Sequence, residues 1–108
     1  TENLYIFLRG FLFKIMLDLQ LESQNPNTPS IDLHEFKNSH EALEFLETEI
    51  YGLYKNSEQY VRVIHGIGKG ILKAKVHESL KANPLIKSFE MEENGGVTIF
   101  TFYPHTHP

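Results

Sequence analysis

From Phe11 to Leu21 every odd position is apolar (Phe11, Phe13, Ile15, Leu17, Leu19, Leu21), whereas Lys14, Asp18 and Gln20 fall on even positions. A repeat of two sends alternate side chains to opposite faces of an extended chain, so the pattern predicts a half-buried strand over 11–21. Residues 4–8 are its candidate hairpin partner, turning at Arg9-Gly10. The segment 22–30, ending in QNPNTPS, is rich in Pro and Asn and predicts a linker. It separates an N-terminal extension, 1–30, from the rest of the chain.

Beyond the linker the period changes. Ile31 to His34 predicts a short strand. Asn38 with Glu41 three residues later has the form of a capping box, and Leu43, Leu46, Ile50, Leu53 and Tyr54 follow at helical spacing. Tyr60 to Ile64 is β-branched and aromatic, a buried central strand. A glycine-rich turn, 66–70, leads into a second helix carrying Leu72, Val76 and Leu80, which stops near Asn83-Pro84. Strands over 86–92 and 97–103 flank an Asn-Gly hairpin turn. The order β-α-β-α-β-β predicts an α/β fold, an α+β two-layer sandwich. In it a mixed sheet carries both helices on one face, and the N-terminal strand or hairpin is added to it. The boundaries are 1–30 for the extension, 31–103 for the domain and 104–108 for a tail.

A chain of 108 residues has room for one such core. It contains no cysteine, which excludes disulfides and thiolate metal sites and accords with a cytoplasmic location. Arg9, Lys14 and Asp18 interrupt the apolar N-terminus, so no membrane span is expected. A net charge of −4 argues against non-specific coating of nucleic acid. The charge is nevertheless segregated. Between residues 66 and 87 lie Lys69, Lys73, Lys75, Lys81 and Lys87 against Glu78 alone.

Polar groups cluster where parallel βαβ units collect ligands, at the carboxyl ends of strands. Alternation places Asp32 and His34 on one face, away from Ile31 and Leu33. A carboxylate beside an imidazole orients it and raises its pKa, as general acid–base sites require. The plainer alternative is that both side chains bond loop amides. In the second motif, His65-Gly66-Ile67-Gly68-Lys69-Gly70, glycines let backbone N–H groups approach an anion at a helix N-terminus, with Lys69 adding charge. The alternative there is a tight connection without a ligand. Lys69, Lys73, His77 and Lys81 recur every four residues, either as a stripe tracking a sugar-phosphate backbone or as a solvated helix face. The turn matches neither a Walker loop nor a dinucleotide fingerprint, so no nucleotide cofactor is expected. His40, His105 and His107 are assigned to no site.

The pairing of Asp32-x-His34 with His65-Gly66-x-Gly68-x-Gly70 resembles the Smr (small MutS-related) domain. So do residues 83–89 and Gly95-Gly96-Val97-Thr98 further on. The likeness spans residues 31–103. It implies a sandwich similar to the C-terminal domain of a bacterial translation initiation factor, and nicking endonuclease activity on DNA or RNA, in some members with a divalent metal. Carried onto this sequence, Asp32, His34 and His65 become catalytic candidates. Gly66, Gly68 and Gly70 match the second motif, and with Lys69, Lys73 and His77 of the basic stripe they are the phosphate or nucleic-acid contacts. Where the family has glycine after the first histidine, this chain has Glu35. That carboxylate repels phosphate, marks a member that binds without cutting, or joins Asp32 and His34 as a ligand for Mg²⁺ or Mn²⁺. Two further functions stay open: a nucleic-acid-binding module without chemistry, and a protein-interaction domain that docks or self-associates through the N-terminal strand.

Overall fold

The computed structural model describes residues 2–105. Thr1 and the end of the expected tail, 106–108 with His107, lie outside the described residues. Asn38 opens α2 (Ser39–Lys55) by accepting from the His40 and Glu41 amides, the cap its position predicts. The β-branched run becomes β2 (Tyr60–Ile64), paired in parallel with the short β1 (Ser30–Asp32) across the α2 crossover. After α3 (Ile71–Ala82), the hairpin β3 (Ile86–Met91) and β4 (Val97–Phe102) folds back. β4 inserts antiparallel between β2 and β3, giving the sheet order β1-β2-β4-β3.

One face of this sheet holds the main core. Ile31, Val61, Val63, Phe100 and Phe102 pack against Ala42, Leu46 and Ile50 of α2 and Val76 and Leu80 of α3, all buried. Each large side chain in such a core contributes about 1.5–3 kcal/mol relative to leaving it exposed. The α/β sandwich with both helices on one face is therefore as the sequence predicts.

The N-terminal expectation is overturned. Residues 11–21 belong to α1 (Glu2–Ser23), a helix that runs unbroken through the expected Arg9-Gly10 turn. Its C-terminal half lies on the second sheet face, against β2, β3 and β4, and buries Leu19. The misleading repeat has a physical origin. Phe11, Ile15 and Leu19 form one helical row toward the sheet, and Phe13, Leu17 and Leu21 form a second row on the opposite side. Two rows of spacing four, offset by two, sum to a period of two along the sequence.

A buried polar cluster fastens α1. Oε2 of Glu92, just past β3, accepts from Arg62 Nε at 3.1 Å, from Arg62 Nη2 at 3.0 Å and from the Ser23 hydroxyl at 2.7 Å. Among the described residues no helix is long and apolar enough to cross a membrane.

Candidate functional site

The pairing of β1 with β2 continues one residue beyond the strand, because the Leu33 amide donates to the Ile64 carbonyl at 2.8 Å. Leu33 therefore points into the core, and Asp32 and His34 alternate outward with half of each side chain exposed. Asp32 Oδ1 faces His34 Nδ1 at 2.5 Å and also accepts from the His34 amide at 3.1 Å. A carboxylate only accepts, so Nδ1 carries the proton and Nε2 is the outward edge. The bond to Asp32 raises the His34 pKa above 6.5, and the same bond lowers that of Asp32 below 3.8. Glu35 Oε1 lies 3.8 Å from Nε2.

The tip of β2 arrives alongside. The His65 and Gly66 amides both donate to the Gly96 carbonyl, at 3.1 and 3.0 Å, tying the turn to the β3–β4 hairpin. Gly66 has a φ of 79°, and a Cβ there would stand 3.6 Å from the His34 Cβ. The two strand tips thus lie side by side, with room between them for little more than the missing Cβ. Among the described residues the amides of 67–69 find no backbone or side-chain acceptor within the chain. Gly70, at φ 80°, caps α3 without a side chain, leaving the first helical N–H groups free as well. Lys69 is exposed at the turn, and Lys73 curls back with its Cε 4.0 Å from where a Gly70 Cβ would be.

Two expected site residues lie elsewhere. Residue 65 continues the alternation of Val61 and Val63, so the His65 ring passes to the helix side of the sheet and is buried. His77 also turns inward from the lysine stripe, its ring 5.0 Å from that of Phe89. Both meet one hydroxyl, Thr98 Oγ1, at 2.9 Å from His65 Nε2 and 2.8 Å from His77 Nε2. His65 Nδ1 is 2.9 Å from the Gly66 carbonyl. With both rings neutral a single directed chain satisfies every contact: His77 donates to Thr98, Thr98 to His65, and His65 to Gly66. Burial lowers the pKa of both histidines, which keeps them neutral. This chain lies beneath the turn and braces it, so His65 does not share the outward face of Asp32 and His34.

The Asp32–His34 bond leaves His34 Nε2 free, as in a histidine that ligates a metal through its other nitrogen. Among the described residues, however, no group of three His, Asp or Glu side chains converges on one point, so Asp32, His34 and Glu35 do not make a preformed divalent-ion site. Residues to which the sequence reading gave no role in the site are Gly96, whose absent Cβ leaves room 3.4 Å from Ile67, and Thr98. Both stand in the Gly95-Gly96-Val97-Thr98 segment that resembles the family, which was the available signal for them.

Comparison with known proteins agrees with this fold. The model of the Smr domain matches residues 31–100. An endonuclease MutS2 from Thermomicrobium roseum is 34% identical over 65 residues, covering 58% of this chain and 8% of that protein. The chain thus spans less than a tenth of that relative's length. The crystal structure of the Smr domain of Thermus thermophilus MutS2 superimposes with a TM-score of 0.66 at 25% identity, over 71% of this chain and 100% of that one.

Proposed function

The chain belongs to the Smr domain family, and from that premise we propose that it binds a nucleic-acid phosphate at the meeting of the two strand tips and nicks the strand there. The observation that carries this reading is the pairing of β1 with β2 out to their tips, which sets the Asp32–His34 pair beside the glycine turn and its unpaired amides. The amides of 67–69, the start of α3, Lys69 and Lys73 hold the phosphate. His34 Nε2, with its ring fixed by Asp32, takes a proton from the attacking hydroxyl or water and returns it to the leaving oxygen. His65 and Thr98 set the turn from below and make no contact with the phosphate. No step passes through a metal ion.

Stabilisation of charge on the transferring phosphate by preset donors is the largest contribution, and losing one such donor costs roughly a hundredfold in rate. The test is nicking of supercoiled plasmid and of structured RNA, in Mg²⁺ and in EDTA. Asp32→Ala and His34→Ala are expected to lose activity; variants as active as the wild type would end the catalytic reading.

One observation favours a second reading. Glu35 stands 3.8 Å from the edge of His34 that would meet the nucleophile, and its charge opposes an incoming phosphate. In a binding module without chemistry, affinity falls with salt by about 0.9 log units per tenfold change for each phosphate neutralised. Cleavage is then absent under every condition. Glu35→Gly separates the two, gaining activity in the first and only affinity in the second.

A further inference from the structure

α1 has more apolar surface than the domain uses. Ile15 and Leu19 face the sheet, but Ile6, Phe13 and Leu17 project from the far side and are exposed, as are Leu12 and Met16 beside them. These five side chains are each about half exposed or more, which puts several hundred Å² of apolar surface on one face of the helix, as much as the largest patch of a typical monomer. That is short of the roughly 800 Å² per partner of a standard interface and suits a weak one. In the middle of the far side is Gly10. A Cβ there would meet nothing within 4 Å, so nothing among the described residues requires glycine. Glycine is nevertheless the poorest helix former after proline. A shallow hollow lined by Ile6, Arg9, Gly10, Leu12, Phe13 and Met16 opens at this point.

The stripe Ile6, Gly10, Phe13, Leu17 has spacings of four, three and four, which read the same in either direction. A palindromic stripe is what a two-fold antiparallel helix pair needs, since each surface must be complementary to itself. In that register Ile6 meets Leu17, and the ring of Phe13 meets the notch at Gly10. The largest knob and the deepest hole on the stripe are thus brought together twice. We propose that α1 is a self-association surface, on which two copies of this chain pair antiparallel with Phe13 of each seated over Gly10 of the other. The paired face is opposite the sheet, so the two domains stand apart and each leaves its strand tips open.

The oligomeric state of the whole chain tests this by sedimentation equilibrium, up to about 100 µM, a concentration that populates a weak dimer. The wild type is expected to be dimeric. Gly10→Phe, which sets ring against ring, and Phe13→Gly, which removes the knob, should each weaken dimerisation at least about tenfold. The double variant Gly10→Phe/Phe13→Gly exchanges knob and hole without altering composition and should restore it. Far-UV circular dichroism establishes that each variant is folded. A monomeric wild type overturns the proposal, as does a dimer indifferent to either single change or a swap that does not rescue. A monomer that sediments with phosphatidylcholine vesicles would assign the face to lipid and overturn it equally.

Discussion

Replacing Glu92 by methionine should loosen the attachment of α1 more than any other single polar change. Glu92 is almost fully buried, and its one oxygen serves Arg62 twice and Ser23 once. Removing one member of a buried ion pair leaves the other charge unpaired, at a cost of about 3–5 kcal/mol. Arg62 retains 27% side-chain exposure and a distant contact, 3.4 Å, to the Ser30 hydroxyl. Water reaches the guanidinium in part, so the expected loss is about 2–3 kcal/mol. In a domain of this size that lowers the thermal midpoint by about 10 °C. Urea denaturation of Glu92→Met and of Arg62→Met/Glu92→Met measures it. The double variant leaves no buried charge and should fall within about 1 kcal/mol of the wild type, the residue being the unpaired Ser23 hydroxyl. A single variant as stable as the wild type, or a double variant no better than the single, refutes the reasoning.

Two further predictions concern protons. Because the Asp32 carboxylate favours the imidazolium of His34, Asp32→Asn should bring the His34 titration, followed by NMR, back down toward 6.5; an unchanged midpoint would dissociate the pair. His65 and His77 are held below 6.5 by burial, so between 6.5 and their lowered values the unfolded chain binds more protons than the folded one. Stability from this source is full above pH 6.5 and is lost as the pH falls below it, with a slope that His77→Gln should reduce by about one proton. His34 acts in the opposite sense: its contribution is present below 6.5 and is lost as the pH rises through its raised value. A pH 5–7 stability profile identical in His77→Gln and wild type would remove His77 from the account.

The strands and helices from residue 31 onward were legible because each carries its own local signal. Asn38 caps α2, β-branched residues fill β2, and Asn94-Gly95 turns the last hairpin. The N-terminal helix was not legible, since a helix apolar on two opposite faces has no polar side to betray its period. The meeting of Asp32, His34 and the glycine turn followed from topology, as parallel neighbours end at the same edge. The directions of the His65 and His77 rings did not. His65 follows the alternation of β2 to the helix side, a rule the sequence reading applied to Asp32 and His34 but not to His65. His77 left the lysine stripe because Thr98, 21 residues away, offers a buried hydroxyl.

The position of β4 has a consequence for how the molecule comes into being. The last of the described strands to be synthesised is an inner strand of the sheet, and the hairpin loop before it supplies the carbonyl that anchors the glycine turn. A nascent or truncated chain ending before residue 96 has β1 and β2 but neither β4 nor that anchor. The pairing that joins β2 to β4 must also span more than thirty residues before it is rewarded, which makes it a late step. Synthesis therefore completes the scaffold and its reactive edge in one event, and an unfinished chain carries the motif without the geometry.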